Sequence, residues 1–308
     1  MAPDVATRPF ARLPRAQWKA REEAHVARAD ALTASHRTRA ARGEKHPVWD
    51  FLFTYYSYKP AVLRRWHPGP GVELGDAGEE RAGWRWYVAG PTHGSVTVDR
   101  AAFEAARPQL VRLVETILRR TASRPGQFGC FGLHEWAMVY RQDERRHPQP
   151  LRLGSEGTDA VVEGHDLRCT HVDAFRFFTP EAAPRNRERL SRLDQPDREQ
   201  PGCLHAGMDV YKWAVKLGPL VPGELLLDAF ELARDIRRLD MEASPYDLAD
   251  WGFSPVAIET PEGKAEYVRR QRAFAERANA LRAQILVAWR GAPASALGGE
   301  ALSGARQE

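Results

Sequence analysis

The sequence predicts a mainly α-helical protein of the α+β class with one small β-sheet. Two observations lead to this prediction. In the C-terminal half, apolar residues recur at the spacing of one face of a helix. Residues 72–98 instead hold short β-branched and aromatic stretches between glycine-rich turns, which is typical of a small antiparallel sheet. No internal repeat divides the chain, so we expect one globular domain over residues 46–290.

The N-terminal segment predicts a long, exposed helix. From Pro14 to about Arg42 the chain is rich in Ala, Arg and Glu, with no Gly or Pro in between. Residues 1–45 carry ten Lys or Arg and five Asp or Glu, a formal charge of +5, so the remainder of the +4 chain sums to −1. We therefore expect residues 1–45 to form a basic helical arm that could hold phosphates. A solvated helix face is the other interpretation of this charge.

The next elements are short. The stretch from His46 to Pro60 is apolar nearly all round, so we expect it to be buried, either as a helix or as a strand. A short helix is expected from Ala61 to Trp66, where it ends at a Pro-Gly-Pro-Gly sequence. These elements lead directly into the predicted sheet.

Within residues 72–98 we expect three antiparallel strands, with Trp84 and Trp86 on one face of the central strand. Asp99 then predicts a helix cap, because its carboxylate can accept a hydrogen bond from a free backbone N–H group. Pro108 falls inside the following apolar pattern, so the helix should kink or restart there.

Three long amphipathic helices are predicted in the C-terminal half. The first two show the apolar spacing i, i+4, i+7 and i+11, which is seen in Leu204, Met208, Tyr211 and Val215 and again in Leu225, Ala229, Leu232 and Ile236. Thr260-Pro261 opens the last helix. Residues 291–308 are small and polar, and we expect this tail to be disordered.

Composition limits the class of protein. With 43% apolar and 28% charged residues, the chain is neither fibrous nor fully disordered. No uncharged apolar run reaches the length of about 18 residues that a membrane span needs, and the N-terminus lacks the apolar stretch of a secretory signal. We therefore expect a cytoplasmic protein without a membrane partner, whose three cysteines are reduced thiols.

A histidine closely follows each cysteine. The pairs are Cys130 with His134, Cys169 with His171, and Cys203 with His205. Thiolate and imidazole are ligands that zinc prefers, and iron also accepts imidazole and carboxylate. The sequence thus allows a zinc or iron site with His134, His171, Asp173 and His205 as ligands. The paired cysteines of structural zinc sites are missing, so buried thiols and hydrogen-bonded histidines are the alternative interpretation.

The helix predicted from residue 202 to 217 carries a polar line beside its apolar face. His205, Asp209, Lys212 and Lys216 form this line. A polar stripe that borders a buried face is where a cleft would lie. Asp173 stands among phenylalanines and needs a partner such as His171 or Arg176, because an unpaired buried carboxylate is unfavourable. These patterns make Asp173, Asp209 and His205 the candidate catalytic residues.

Aromatic residues supply candidate walls for a substrate pocket. Side chains that could hold a planar ring, or lie beside the candidate carboxylate, are Trp49, Phe51, Phe53, Tyr55, Tyr56, Tyr58, His134, Glu135, Trp136 and Arg176. A structural role in the core accounts equally well for the aromatic ones. The chain has no G-x-S-x-G motif, no P-loop and no G-x-G-x-x-G motif between a strand and a helix, which argues against serine hydrolase, nucleotide triphosphate and Rossmann chemistry.

Four stretches between about His46 and Asp250 resemble a bacterial family commonly labelled 3-methyladenine DNA glycosylase. They read HPVWDFLFTYYSYKPAVLRRWHPG, GCFGLHEWAMVYR, CTHVDAFRFFTP and EQPGCLHAGMDVYKWAVKLGPLVPGELLLDAFELARDIRRLDMEASPYDL. The resemblance implies hydrolytic excision of an alkylated purine from DNA, with the flipped base held between aromatic side chains. The sequence His67-Pro-Gly-Pro-Gly-Val72 is only superficially similar to the hairpin of helix-hairpin-helix glycosylases, because no aspartate follows it at the expected distance. No catalytic residue can therefore be transferred from that hairpin.

Three functions therefore stay open. The first is a DNA-repair N-glycosylase that needs no cofactor and has DNA as its partner. The second is a zinc- or iron-dependent enzyme that acts on a small molecule. The third is a non-catalytic nucleic-acid-binding protein whose polar residues satisfy one another. The sequence does not decide the oligomeric state.

Overall fold

The computed structural model describes residues 10–142 and 148–289, and it confirms the predicted mainly α-helical class with a small sheet. The helices are α1 (Arg15–Ala41), α2 (Phe51–Thr54), α3 (Pro60–Arg64), α4 (Gly78–Arg81), α5 (Arg100–Ala106), α6 (Pro108–Ser123), α7 (Leu133–Ala137), α8 (Gly154–Glu163), α9 (Val172–Phe175), α10 (Gln195–Arg198), α11 (Leu204–Leu217), α12 (Gly223–Glu242) and α13 (Pro261–Trp289). The strands are β1 (Ala11–Leu13), β2 (Val72–Leu74), β3 (Tyr87–Ala89) and β4 (Val96–Val98). The predicted tail of residues 291–308 lies outside the described residues. No helix among those described is long and apolar enough to cross a membrane.

The sheet differs from the predicted one. Its strand order is β1-β2-β4-β3, and β1 pairs in parallel with β2, so the sheet is mixed and recruits a strand from the N-terminal segment. Strand β3, which was expected at the centre, lies at the edge of the sheet and begins only at Tyr87, so Trp84 and Trp86 precede it. Trp86 has a φ of 72°, which an extended strand does not allow, and this breaks the alternation predicted for the two tryptophans.

Helix α1 forms as predicted but is packed onto the body of the protein. Its buried side chains include Trp18 and Ala29, and the Trp18 indole donates a hydrogen bond of 2.9 Å to the backbone carbonyl of Gly75. Arg21 and Arg28 form ion pairs with acidic residues of α12. The positive charge of α1 is therefore largely neutralised by the body, and the helix is not an exposed arm.

The short elements after α1 match the prediction only in part. Between His46 and Pro60 only Val48, Leu52 and Tyr56 are buried, so the prediction of a fully buried stretch is wrong, and the stretch contains one helical turn, α2, rather than a strand. The next helix ends at Arg64, two residues before the predicted Trp66. The Asp99 carboxylate accepts a hydrogen bond of 2.8 Å from the backbone N–H of Ala102 and thereby caps α5, and α6 restarts at Pro108. Both the cap and the restart confirm the sequence prediction.

The three predicted C-terminal helices build the core. They are α11, α12 and α13, which pack against one another, and α6 covers a further side of α11 and α13. Helix α11 is enclosed almost all round, so its polar residues as well as its apolar ones are buried. This burial brings His205 and Asp209 into the interior, where they meet charged residues from distant parts of the chain.

The approach to α11 depends on a glycine. A Cβ atom on Gly202 would lie 2.3 Å from the backbone oxygen of Gln127, so a side chain cannot be accommodated without moving backbone. We expect Gly202→Ala to lower the free energy of unfolding by about 2–3 kcal/mol and the melting temperature by about 5–10 °C. Differential scanning calorimetry measures both. Gly83→Ala is the matched control because nothing lies within 4 Å of its Cβ position, and equal melting temperatures for the two variants would contradict the prediction.

Candidate active site

A cavity of about 290 Å³ lies where α2, α7, α9, α11 and α12 meet. Its walls are mainly apolar, and a small number of charged or polar groups converge on it. The lining residues are Phe51, Thr54, Tyr55, Glu135, Met138, Asp173, Ala174, Phe177, His205 and Arg237. A mostly apolar pocket with a few placed polar groups is the usual form of a small-molecule site.

One wall of the cavity is an aromatic stack. The rings of Phe51 and Tyr55 lie 4.7 Å apart with an angle of 9° between their planes, because residues four positions apart share one face of a helical turn. The Arg237 guanidinium lies 4.0 Å from the centre of the Phe51 ring. This arrangement offers flat surfaces against which a planar ligand can pack.

His205 is the neutral imidazole of the site. Burial lowers its pKa well below the usual value, and the neighbouring His134, whose ring centre is 4.4 Å away, lowers it further. Among the described residues, the Nδ1 atom of His205 has no hydrogen-bond partner. A buried neutral imidazole that lines a cavity can accept a hydrogen bond from a molecule bound there.

A buried network of charged side chains adjoins the cavity. His134 Nε2 lies 2.7 Å from Asp240 Oδ1, and Arg237 donates hydrogen bonds to Asp240 at 2.8 Å and to Glu135 at 3.1 Å. Burial alone would lower the pKa of His134, but the Asp240 carboxylate outweighs it and raises that pKa well above the usual value. His134 is therefore a charged partner of Asp240.

A second buried network surrounds Asp209. Lys212 donates a hydrogen bond to its carboxylate, Tyr56 does so at 3.1 Å, and His171 Nε2 lies 3.3 Å away. Burial alone would raise the pKa of Asp209, but Lys212 and His171 together lower it. Asp209 is thus ionised, and its carboxylate contacts all three of these side chains behind the cavity. The contact with Lys212 holds the ammonium group in place.

Asp173 reaches the cavity as an ionised carboxylate. It contacts Lys212 Nζ at 3.2 Å and Arg192 Nη2 at 3.0 Å, and its side chain is 7% exposed. Burial would raise the pKa of Asp173, yet Lys212 and His171 lower it overall. In contrast, burial and the nearby Asp240 raise the pKa of Glu135. Two carboxylates with opposite shifts in one pocket are typical of acid–base sites.

The structure separates the predicted site residues into three groups. Asp173, His205 and Tyr55 line the cavity. Asp209, Tyr56, His134 and His171 lie behind it in the buried networks. Trp136 is a core residue whose indole donates to the carbonyl of Ala243, Trp49 packs in a separate cluster, and Arg176 is exposed beside Asp173.

Glu135, one of the side chains expected near a pocket, does line the cavity, but Arg237 and Asp240 were not selected from the sequence. A signal for both was present, because Arg237 and Asp240 follow Ala233 at i+4 and i+7 and therefore continue a buried helix face. Charged residues in phase with an apolar face must find partners inside the protein. A charged residue at an apolar position of a helix pattern therefore indicates a buried polar network.

Two groups of side chains have the composition of metal sites. They are His134, His205 and Asp240, and His171, Glu199 and Asp209, with the ligand atoms of each group within 4.8 Å of one another. The predicted ligand set is split between the groups, and Asp173 belongs to neither. Arg237 already contacts the carboxylate of the first group and Lys212 that of the second, so a divalent ion would compete with a cation of the protein.

The buried histidine of the second group predicts how stability depends on pH. Burial lowers the pKa of His171, but hydrogen bonds to Asp209 and Glu199 outweigh burial and raise this pKa from 6.5 to about 9. The stabilisation is therefore complete below about pH 6.5 and is lost as the pH rises through about 9, by up to about 3 kcal/mol. In His171→Gln, denaturant titrations should show a smaller loss of stability between these pH values than in the wild type. Parallel pH curves would contradict this, and the exposed His93→Gln is the control.

Comparison of the chain with family models, with curated proteins and with solved structures returns no match. The geometry of the cavity and its charged groups is therefore what points to a function.

Proposed function

We propose that the protein is a DNA N-glycosylase that hydrolyses the bond between deoxyribose and an alkylated purine of the 3-methyladenine type. The observation that carries this proposal is the composition of the cavity, in which an aromatic stack faces the ionised Asp173 and the neutral His205. Its volume of about 290 Å³ is at the lower end for ligand pockets and suits one flipped base rather than a whole nucleotide. Since the substrate would be chromosomal DNA, the proposal also implies a cytoplasmic protein.

The chain's own groups can supply the chemistry of base excision. A water molecule donates a hydrogen bond to the unpartnered Nδ1 of His205 while the water oxygen forms a bond to C1′ of the sugar, and the proton of that water passes to the surrounding solvent. The bond between C1′ and the base nitrogen breaks, and its electron pair leaves with the base. Asp173 stabilises the positive charge that develops on the sugar ring, as carboxylates do in glycoside hydrolysis.

The same site favours an alkylated base over a normal one. An N-alkylated purine such as 3-methyladenine carries a positive charge, which it loses when it departs, so the leaving group needs no added proton. A cationic ring is also attracted to the faces of Phe51 and Tyr55. Glu135 and Arg237 offer hydrogen-bonding groups of both kinds to the edge of a base in the cavity.

Release of free base tests the proposal. Duplex DNA treated with a methylating agent is incubated with the full chain, and free 3-methyladenine is measured by liquid chromatography and mass spectrometry. We expect release in proportion to protein concentration, also with EDTA present, and none from unmethylated DNA. Release no greater than that from heat-denatured protein would contradict the proposal.

A metal-dependent enzyme is the second candidate, and the two groups of His, Asp and Glu favour it. Under this proposal, His134, His205 and Asp240 would hold a zinc or iron ion that activates water. Elemental mass spectrometry of protein purified without an affinity tag should then find about one metal per chain, and His205→Gln should lose it. Metal-free protein that releases base would remove this candidate.

A further inference from the structure

A second cleft, which we call the basic cleft, lies at the C-terminal end of α11. Its volume is about 580 Å³, and it is formed by the start of α3, the residues before β3, the end of α5 and the end of α11. Five Lys or Arg side chains line it, and no Asp or Glu is among the lining residues. The five cations are Lys59, Arg65, Arg85, Arg107 and Lys216.

The charges of these cations are not neutralised by acidic side chains of the described residues. All five are exposed, and within residues 10–142 and 148–289 none of them forms an ion pair or a side-chain hydrogen bond. Elsewhere the surface cations are commonly paired, as Arg21 is with Glu224 and Arg28 with Asp228. Positive charges gathered in one concave surface repel each other and concentrate field there, so an anionic ligand would stabilise them.

An aromatic platform lies among the cations. The Arg85 guanidinium is 4.3 Å from the centre of the Trp86 ring, the Arg107 guanidinium is 5.9 Å from it, and the Phe103 ring packs edge-on at 5.3 Å. The φ of 72° places Trp86 in the left-handed region, which bulky residues rarely adopt. Such strain persists only where the surrounding structure holds it, and it concentrates at functional positions.

Helix α11 contributes to both the active-site cavity and the basic cleft. His205 lines the cavity and Lys216 lines the cleft, and residues eleven positions apart lie on nearly the same face of a helix, about 16 Å along its axis. The segment between α2 and α3 also runs from one site to the other, since Tyr55 lines the cavity and Lys59 lines the cleft. A distance of about 16 Å corresponds to about five nucleotide steps of a B-form strand.

We propose that the basic cleft binds the phosphate backbone and a stacked base of the nucleic-acid strand whose target base enters the cavity. The proposal rests on the proposed function for the identity of that base. Spaced phosphates match several separate cations, and an unpaired base matches the Trp86 ring, whereas lipid headgroups offer no ring to stack there. The binding determinant is thus this cleft rather than helix α1, whose charges are already paired.

Salt-dependent binding of unmodified DNA tests the cleft. The probe is a fluorescein-labelled single-stranded 12-mer, and its Kd for the full chain is measured by anisotropy between 50 and 300 mM salt. With five contacts, log Kd should rise with log salt at a slope of about 3.5. The triple variant Arg65→Gln, Arg85→Gln, Arg107→Gln should lower the slope by about 2 and weaken binding at least about tenfold near physiological salt.

Two further variants keep the result interpretable. Lys59→Gln with Lys216→Gln leaves the guanidinium contacts on Trp86 intact, and it should lower the slope by about 1.4. The control removes the same charge at three exposed, ion-paired positions, namely Arg119, Arg269 and Arg277, and should leave the slope close to that of the wild type. Thermal unfolding establishes that each variant is folded.

The outcomes separate the cleft from the proposed chemistry. Binding of the probe does not depend on excision, because the probe contains no excisable base. If the probe binds through the cleft but methylated DNA releases no base, the cleft is supported and the glycosylase proposal is contradicted. Base release that persists unchanged in folded cleft variants would overturn the cleft alone. Wild-type protein that does not bind the probe, or that binds phosphatidylserine vesicles through the same residues in preference to DNA, would also overturn it.

Discussion

Asp173→Asn should lower the rate of base release about 10²- to 10³-fold while the protein stays folded. The substitution keeps the size of the side chain but removes the charge that would stabilise a positive sugar ring. Lys212 still has Asp209 as its partner in the variant, so the buried network stays neutralised. Single-turnover release of 3-methyladenine at saturating protein measures the chemical step directly.

Asp166→Asn is the matched control for this variant, because the Asp166 side chain is 79% exposed and contacts only Arg168 among the ion pairs of the described residues. We expect wild-type rates from it. Full activity in Asp173→Asn would remove Asp173 from the catalytic site. Unchanged Kd with a reduced rate would locate the effect in the reaction rather than in DNA binding.

Arg237→Met should lower the free energy of unfolding by about 3–5 kcal/mol, the largest change in stability that we predict. Its side chain is 1% exposed and contacts both Glu135 and Asp240. Methionine fills much of the volume but leaves two buried carboxylates without this cation, and an uncompensated buried charge is strongly unfavourable. Urea titration at neutral pH measures the change.

Arg119→Met is the control for the arginine prediction. Arg119 pairs with Glu115 one helical turn away, and its side chain is 45% exposed, so the change should be within about 1 kcal/mol. Equal stabilities of the two variants would show that the buried network contributes little. A smaller loss in Arg237→Met below about pH 5, where carboxylates begin to protonate, would support the assigned cause.

The helical framework could be predicted because local patterns specify it. Leu204 and Met208 share a helix face, Asp99 supplies a cap, and Pro108 and Pro261 mark helix starts, and the structure contains each of these features. These signals depend only on residues close in sequence, so they can be recognised without knowledge of the tertiary structure.

The sheet could be predicted only in part. Strands β2, β3 and β4 lie within the expected range, but β1 joins β2 across about sixty residues of sequence, and no local pattern encodes such a pairing. The left-handed backbone at Trp86 is likewise set by its surroundings, because a tryptophan carries no intrinsic preference for that region.

The residues of the candidate site could be predicted in part, but their separate roles could not. Asp173 and His205 could be selected from the sequence, since a carboxylate among phenylalanines and a histidine beside an apolar helix face must be satisfied by something nearby. Their roles could not be separated from that of Asp209, which is buried behind the cavity with Lys212. Burial and partner choice depend on contacts between distant segments.

The sequence by itself therefore determined the helices, their caps and the residue types available for chemistry, because these follow from short-range periodicity and backbone requirements. Only the tertiary structure decided which charges are paired. It neutralises helix α1 against α12, leaves the basic cleft unpaired, and encloses His205 between two charged networks. Electrostatic energies depend on distance and on exclusion of water, and both are properties of the packed chain rather than of its sequence order.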